Sequence, residues 1–431
     1  MIIHQPETIR RDGDAILWSR IEMARKRDNF PDYIWYRVPE AYSRYLSPQS
    51  DAFLVPALIA GMHFGEDIEV RGAVSPRLAY SLQEYQFLLH FHLSKYLRCV
   101  AIRYNQLQAW NTKPKGVAAT FSGGVDSFFT IKAHLPESQP IPEYRITHAL
   151  FIQNFDIVNR DIDKYQALFL RFQGVLREFG IELVPMETNL LNTILPWLSL
   201  DYFYGPVLAG CGMVMGGLFK RFYIPSSRDY YQLAIRESSS NPLADRLLST
   251  DSLDIVHHGA NVRRVEKIVS LSDWKPAQDH LRVCIYAEFA EQNLNCSRCE
   301  KCSRTMFPLY VLGKLDQFNT FSRPFRSKWD TLGWARKLDP SRDQYMPETF
   351  AFTREHRSDL LPWLYFATCL GGIRYWLVRL TPGFIWRWLR RNGHFIDTFR
   401  LVNALDNPAV IDLIHSVASS RQESKNDHPP A

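Results

Sequence analysis

From residue 116 onward, short apolar runs alternate along the chain with longer segments in which apolar residues recur every three or four positions. The short runs predict buried strands, at 117–121, 147–152, 182–186, 221–224 and 254–257. The longer segments predict helices, at 127–134, 161–179, 205–219 and 264–271. Because this alternation is typical of a parallel sheet covered on both faces, residues 116–305 are expected to form a doubly wound α/β domain with a mostly parallel sheet.

The pattern differs on either side of this region. Before residue 116, strands are predicted at 34–38, 67–70 and 98–104, and helices at 51–62 and from Ser75-Pro76 toward Tyr96. The polar segment Asn111–Gly116, which contains proline and glycine, predicts a boundary, so residues 1–115 are expected to form an N-terminal α+β domain. Residues 306–418 predict a C-terminal helical region, and the polar residues 419–431 predict a disordered tail.

The composition narrows the setting in which the protein works. Of 431 residues, 46% are hydrophobic, which is enough for packed cores in roughly two or three domains. The net charge of +6 suits a phosphate-bearing ligand or a nucleic acid, although so small a balance also describes an ordinary solvated surface. No uncharged apolar run of about 18 residues occurs, so no membrane-spanning helix is expected. The opening Met1-Ile-Ile-His is followed by polar and charged residues rather than by the apolar stretch of a secretory leader, and the chain is expected to be cytoplasmic.

A glycine-rich turn lies between the first predicted strand of the α/β region and the helix that follows it. Its sequence is Phe121-Ser122-Gly123-Gly124-Val125-Asp126-Ser127. The backbone N–H groups of such a turn and the positive end of the helix converge on phosphate oxygens, and glycine removes the Cβ that would keep the backbone away. The serine hydroxyls add hydrogen bonds, and Asp126 is expected to hold a Mg²⁺ ion that bridges phosphate oxygens. The turn lacks the Lys-Ser/Thr pair of a Walker loop; the alternative interpretation is an ordinary turn with two glycines.

The turn matches the Ser-Gly-Gly-x-Asp-Ser signature of the N-type ATP pyrophosphatases, a family that cleaves ATP between the α- and β-phosphates. The resemblance implies that the loop binds the β- and γ-phosphates of ATP. It also implies that Gln153, at the end of the second strand, lies near the adenosine, and that Ser226 follows a strand at the same edge of the sheet. Residues 257–267 resemble the family's second phosphate-contacting segment, in which Arg264 and Lys267 share one helix face and reach the leaving pyrophosphate. A solvated basic face is the alternative for these two residues, and the two histidines that open the segment are given no catalytic role.

Seven cysteines occur, and four of them are clustered, which fits a reduced compartment and a metal site better than disulfide bonds. The cluster is Cys284, Cys296, Cys299 and Cys302, with the spacing Cys-x11-Cys-x2-Cys-x2-Cys. Four thiolates on a compact segment predict a closed, structural zinc site, or zinc knuckle. An iron–sulfur cluster and a redox pair for sulfur transfer are the alternatives, although the proline that follows ferredoxin cysteines is missing. The other three cysteines, Cys99, Cys211 and Cys369, lie in apolar surroundings and are expected to be buried.

A pyrophosphatase loop followed by this cysteine cluster resembles the 7-cyano-7-deazaguanine synthase (QueC) family, over residues 116–305. In that family a carboxylate on 7-deazaguanine is adenylated, attacked by ammonia to give an amide, and activated again to give a nitrile. The family's zinc cysteines share the final Cys-x2-Cys-x2-Cys, with a shorter first gap. A domain is added here at each end, as in elaborated synthase-like proteins of bacterial antiviral operons, for which transfer of a deazaguanine-like group to a protein partner is proposed.

The resemblance therefore implies an ATP-dependent ligase or synthase that uses Mg²⁺, carries Zn²⁺ and joins a small-molecule carboxylate, such as a 7-deazaguanine derivative, to a nitrogen nucleophile or a partner protein. The alternatives are a tRNA-thiolating enzyme of the same superfamily and a non-catalytic ATP-sensing or scaffold subunit. A flat ring needs an aromatic slot, for which Phe155, Tyr202, Tyr204 and Tyr230 are candidates, although each is equally a candidate core residue. The basic aromatic stretch Arg374–Arg391 could contact RNA or a membrane surface, but packing of its tryptophans on the core is the favoured interpretation. The acceptor and the oligomeric state do not follow from the sequence.

Overall fold

The computed structural model describes residues 1–153, 155, 162–235, 238–284, 294–335, 344–379 and 407–426. The strands are β1 Ile2–Ile3, β2 Glu7–Arg11, β3 Asp14–Glu22, β4 Tyr33–Pro39, β5 Ile68–Val74, β6 Ile102–Leu107, β7 Gly116–Thr120, β8 His148–Ile152, β9 Glu182–Thr188, β10 Phe219–Pro225 and β11 Asp254–His258. The helices are α1 Asp51–Phe64, α2 Pro76–Leu93, α3 Val125–Ala133, α4 Ile162–Arg177, α5 Tyr204–Val214, α6 Tyr230–Ile235, α7 Arg264–Leu271, α8 Lys275–His280, α9 Glu300–Val311, α10 Lys328–Ala335, α11 Met346–His356, α12 Leu361–Arg379 and α13 Pro408–Asn426. Asn154 and the greater part of the basic aromatic stretch, from residue 380 onward, lie outside the described residues.

One mixed sheet of 11 strands runs through the molecule, in the order β11-β10-β7-β8-β9-β4-β3-β1-β5-β6, with β2 also paired to β3. The five strands from β7 to β11 are all parallel to one another. Chain order reverses between β7 and β10, since β8 and β9 extend the sheet on one side of β7 while β10 and β11 extend it on the other. The α/β class and the mostly parallel central sheet are thus as predicted. Open α/β sheets bind ligands at the carboxyl ends of the strands beside such a reversal.

The parallel strands are buried on both faces, which explains their continuous apolar runs. Ala118, Leu150 and Val184 point into one core, which also contains α1, α2 and α5. Val117 and Ala149 point into a second core, which contains α3, α4, α7 and α9. Because side chains alternate between the faces of a strand, each central strand supplies both cores.

The N-terminal strands join this sheet directly, because β4 pairs antiparallel with β9. The side chain of Asn189 reinforces the junction: its Oδ1 accepts the N–H of Trp35 at 3.1 Å, and its Nδ2 donates to the carbonyl of Tyr33 at 2.8 Å. Sheet and core are therefore continuous across residue 115, and the domain boundary placed there stays a prediction. Of the strands before residue 116, the sequence predicted β4, β5 and the first part of β6, but not β1, β2 or β3.

Several predicted elements differ from the observed ones in their ends, and two of these differences have a clear physical reason. Helix α5 stops at Val214 rather than at residue 219, because two glycines follow; a Cβ on Gly217 would lie 2.8 Å from the carbonyl oxygen of Tyr45. The helix α13 continues to Asn426, so the prediction of a disordered tail does not describe residues 419–426. Val410 and Ile414 anchor this helix on Trp18 and Trp35 of the sheet, and this packing stabilises a helix that polar composition alone would not. Among the helices of the described chain, none is long and apolar enough to cross a membrane.

Candidate functional site

The glycine-rich turn occupies the carboxyl end of β7, beside the reversal of strand order. Gly123 has a φ of 77°, in the left-handed region that favours glycine, and a Cβ built on it would lie 2.3 Å from Cζ of Phe172. Gly124 is the N-cap of α3, so the first N–H groups of that helix face the turn. Ser122 is half-buried, whereas Ser127 is buried and donates its hydroxyl to the carbonyl of Gly124 at 3.0 Å. The turn thus has the strand–glycine–helix geometry of an anion site.

Asp126, in the first turn of α3, contacts both basic residues that the sequence singled out. Its Oδ2 accepts a hydrogen bond from Nη1 of Arg264 at 2.7 Å, and its Oδ1 lies 3.3 Å from Nζ of Lys267. The Lys267 ammonium also donates to the carbonyl of Ser226, at the end of β10. Four predicted site residues from three separate segments therefore meet at one point of the sheet edge. Arg264 is the first residue of α7. The start of this helix is fixed by Glu266, because the Glu266 carboxylate accepts the N–H of Arg263 at 2.8 Å.

This charged cluster is largely shielded from solvent. The exposed fractions of the side chains are 18% for Asp126, 10% for Arg264 and 1% for Lys267. Burial by itself would raise the pKa of Asp126, but the two neighbouring cations more than offset it and lower the pKa. Burial lowers the pKa of Lys267, and the Asp126 charge restores only part of the loss. The carboxylate is consequently held ionised at the turn, and a solvated basic face does not describe these cations.

A Mg²⁺ ion remains compatible with this carboxylate. Each oxygen of Asp126 already accepts one contact from a cation, yet a carboxylate offers about four lone-pair sites. Protein-bound Mg²⁺ is usually held by one or two carboxylates together with waters and substrate phosphates. The donor set is therefore compatible with a Mg²⁺ ion, which Asp126 would hold.

Gln153 lies at the same sheet edge, directly after β8. Its side chain is buried, and its N–H donates to the carbonyl of Met186 at 2.8 Å, which ties the end of β8 to β9. Of the aromatic candidates for a ring slot, Phe155 and Tyr202 pack against the first core, as the alternative interpretation held. Tyr204 and Tyr230 are exposed.

The two histidines at the end of β11 have local partners. His257 Nδ1 lies 2.7 Å from the buried carboxylate of Asp245. His258 stacks on Phe129, and burial lowers the pKa of His258 to about 3. Both histidines therefore have local structural contacts, and neither was given a catalytic role from the sequence.

Two residues of the C-terminal region contact the segments that form the site, and neither was predicted from the sequence. Glu348 on α11 is buried, and its Oε2 accepts the N–H of Val265 at 3.3 Å, in the first turn of α7. Tyr345 donates its hydroxyl to the carbonyl of Ser227 at 3.1 Å, and the Arg264 guanidinium lies 5.8 Å from the centre of its ring. Burial raises the pKa of Glu348 to about 7. Neither residue belongs to a short motif, so only the packing of α11 on α7 reveals them.

The four clustered cysteines have the spacing of a tetrahedral metal site. All four sulfur atoms lie within 4.8 Å of one another, and three of the separations are 3.3 Å for Cys299–Cys302, 3.9 Å for Cys296–Cys302 and 4.0 Å for Cys284–Cys299. Zn–S bonds of 2.3 Å in a tetrahedron place the sulfur atoms about 3.8 Å apart. The cluster could therefore hold a metal ion such as zinc, as predicted.

Backbone geometry shapes this knuckle. The N–H of Cys299 points to Sγ of Cys296, and the N–H of Cys302 points to Sγ of Cys299, both at 3.4 Å. Ser297, between the first two of these cysteines, has a φ of 58°, which turns the chain sharply. Such N–H contacts favour thiolates, the form in which cysteine binds metals.

Asn295, which the sequence reading also missed, joins the distant Cys284 to the other three cysteines. It is fully buried, and its Oδ1 accepts the N–H groups of Val283 at 2.7 Å and Cys284 at 3.2 Å. Its Nδ2 donates to the carbonyls of Leu281 and Thr320. One residue before Val283, the N–H of Arg282 donates to the carbonyl of Gly123 at 2.7 Å. The cysteine cluster is thus connected through a short backbone segment to the glycine-rich turn.

The remaining cysteines do not all behave as predicted. Cys211 is buried, but Cys99 and Cys369 are exposed. Cys99 follows the end of α2 in a connecting segment, and Cys369 lies on the outward face of α12, so apolar neighbours in sequence did not place either in a core.

The chain matches no protein-family model, no curated protein and no solved structure. A functional assignment therefore depends on the geometry of the turn, the charged cluster and the cysteines, and on the resemblance of their motifs.

Proposed function

We propose that this chain is an ATP-dependent ligase or synthase that adenylates a substrate carboxylate and releases pyrophosphate, in the manner of the N-type ATP pyrophosphatases. The observation that carries the proposal is the contact of Asp126 with Arg264 and Lys267 at the glycine-rich turn. An ordinary turn with two glycines does not need a carboxylate that contacts two largely buried cations from a distant helix. They converge where open α/β sheets bind ligands.

Each group has a role in the proposed reaction. The N–H groups of the turn and the first turn of α3 bind the β- and γ-phosphates. Lys267 and Arg264 stabilise the negative charge that develops on the leaving pyrophosphate. Asp126 orients both cations and is the residue that would hold Mg²⁺, which neutralises phosphate charge when bound. The Glu348 carboxylate holds the start of α7, and with it Arg264, in position.

The bond changes follow from adenylation of a carboxylate. A carboxylate oxygen attacks the α-phosphorus of ATP, a P–O bond forms, and the bond to the bridging oxygen breaks as pyrophosphate leaves with its electron pair. A nitrogen nucleophile then attacks the acyl carbon, loses a proton and displaces AMP. The protein contributes mainly by positioning the reactants and stabilising charge, since no covalent enzyme intermediate is needed.

The resemblance to 7-cyano-7-deazaguanine synthases supports a finer proposal about the substrate. A 7-deazaguanine bearing a carboxylate or its derivative is the proposed small molecule, and a partner protein's amine is the proposed acceptor. The metal of the cysteine cluster is structural in this account, because all four cysteines converge on one point and the cluster is connected to the turn through Arg282.

Product analysis tests the proposal. Purified protein, Mg²⁺-ATP and each of the 7-deazaguanine carboxylate, amide and nitrile are incubated together with an ammonium salt, whose ammonia is the nitrogen nucleophile that displaces AMP, and the nucleotides are separated by chromatography. AMP and pyrophosphate in equal amounts are expected with the true substrate, whereas ADP and phosphate would refute the assignment. The Asp126→Asn variant should lose turnover. The Asp12→Asn variant, changed at a carboxylate that is 87% exposed, is the matched control and should keep it.

The same experiment separates the alternatives. ATP binding without turnover in the presence of every candidate substrate would favour an ATP-sensing or scaffold subunit. A requirement for a sulfur donor and tRNA would favour a tRNA-thiolating enzyme.

A further inference from the structure

The outer face of α2 carries aromatic side chains that no described part of the chain covers. Tyr80 is 86% exposed, Phe87 is 58% exposed and Phe91 is 81% exposed. The opposite face of the same helix is buried through Leu78, Leu82, Tyr85 and Leu89. Single exposed aromatic residues are ordinary on protein surfaces, but three on one helix face form a patch.

The spacing of this patch is that of a helix-pairing seam. Tyr80, Glu84, Phe87 and Phe91 follow one another at intervals of four, three and four residues, which is the a/d spacing of a heptad repeat. These four residues are called the outer seam below. Glu84, Phe87 and Phe91 also border an open hollow of about 640 Å³. A neighbouring helix could place its own side chains there.

The exposed area is substantial for a stable interface. A phenylalanine or tyrosine side chain buries about 150–250 Å² in a core, so the exposed parts of the three rings amount to roughly 450 Å². A standard interface buries about 800 Å² per partner. Phe87 and Phe91 alone supply roughly 280 Å² of this area, about a third of what such an interface needs, and their neighbours on α2 supply more.

Charge along the helix selects the occupant. Glu84 on α2 and Lys95 in the turn that follows α2 are both exposed, and they are 11 residues apart, about three helical turns. Two parallel copies would place like charges together, whereas two antiparallel copies place each Glu84 opposite the other copy's Lys95. The face is therefore complementary to itself in one orientation, as a two-fold symmetric interface requires.

We propose that the outer seam of α2 is a self-association surface, through which two copies of this chain pair with their α2 helices antiparallel and Glu84 facing Lys95. In this register Phe91 of each copy packs beside Leu88 of the other, and Phe87 beside His92. The two salt bridges fix the orientation, while the aromatic rings supply most of the buried area. The pairing does not depend on the proposed reaction.

Light scattering coupled to size-exclusion chromatography, over a range of protein concentrations, tests this pairing. The wild type should have twice the chain mass of 50.2 kDa at micromolar concentration. Phe91→Ser should weaken the dimer about tenfold or more, since the residue occurs twice in a symmetric interface. Leu170→Ser, on α4 and 65% exposed, is the matched control and should not change it. Circular dichroism melting should show that all variants remain folded, because both side chains are exposed.

Charge reversal tests the register. Glu84→Lys and Lys95→Glu should each weaken the dimer, because like charges then face each other, and the double variant should restore it. A wild-type chain that is monomeric at every concentration would overturn the proposal. So would a dimer that neither Phe91→Ser nor the single reversals weaken, or a double variant that fails to recover. The Asp126→Asn variant should dimerise as the wild type does, which keeps this result separate from the proposed chemistry.

Discussion

Replacement of Asp126 by asparagine offers a quantitative test of the charged cluster. The substitution preserves the shape of the side chain but removes the only acidic group in the described structure that contacts both Arg264 and Lys267. The two cations then lie in the interior, 10% and 1% exposed, without their counter-charge. Burial already lowers the pKa of Lys267, so the lysine can release its proton and relieve part of the cost.

The expected loss in the free energy of unfolding is about 3 kcal/mol. Removing one partner of a buried ion pair typically costs about 3–5 kcal/mol, and proton release places this case at the lower end. A surface carboxylate with two arginine partners provides the comparison. Asp254 contacts Arg77 and Arg221 at 3.0 and 3.4 Å, but it is 42% exposed. Asp254→Asn should therefore cost less than about 1 kcal/mol.

Urea unfolding of the wild type and the two variants measures these losses. The same titrations with added pyrophosphate report whether the cations face a phosphate site. An anion that binds only the folded state, at a concentration of about 100 times its dissociation constant, adds about 2.7 kcal/mol to the free energy of unfolding. Pyrophosphate should stabilise Asp126→Asn more than the wild type, because it replaces the missing negative charge. Equal losses for the Asp126 and Asp254 variants, or no response to pyrophosphate in either, would refute the reasoning.

Three further predictions concern the metal site and the C-terminal contact. Metal analysis of protein purified without added metal should give about one zinc per chain. Cys299→Ser should lose both zinc and folding stability, whereas Cys369→Ser, at an exposed cysteine, should keep both. An iron-dependent absorption band would favour the iron–sulfur alternative instead. Asn295→Ala should weaken zinc binding about 10- to 100-fold in competition with a chelator, since its amide positions Cys284, and unchanged affinity would contradict that role. Burial raises the pKa of Glu348 from 4.5 to about 7, so the folded state favours the protonated side chain. The wild type should therefore lose stability relative to Glu348→Gln as the pH rises from about 4.5 to about 7. Parallel stability curves for the two proteins would contradict this.

The central fold was readable from the sequence because its signals are local. The strands at 116–120 and 148–152 are apolar runs that must be buried on both faces, and α7 has a sharp apolar periodicity. The glycine-rich turn and the cysteine cluster are equally local, since neighbouring residues supply nearly every group. The first hairpin was missed because β2, with the sequence ETIRR, is polar and half-exposed and lacks a strong alternating pattern.

Tertiary structure decided which of the predicted groups meet. Arg264 and Lys267 are separated from Asp126 along the chain, and only the order of β7, β10 and β11 in the sheet brings α7 against α3. Burial of the ion cluster also depends on α11, which places Glu348 on the first turn of α7. The polar residues 419–431 indicated disorder, but helix α13 continues to Asn426, and it is anchored on the N-terminal strands through Val410 and Ile414, in the part that was predicted helical.

The sequence by itself thus determined most of the secondary structure of the α/β region, the glycine-rich turn and the cluster of four cysteines, because each depends on residues close together in the chain. The fold alone decided that the sheet continues into the N-terminal strands, that a C-terminal helix contributes to the site, and that Asn295 joins Cys284 to its three partners. Contacts between distant segments follow from the burial of whole surfaces and from strand order, and no short stretch of sequence contains either.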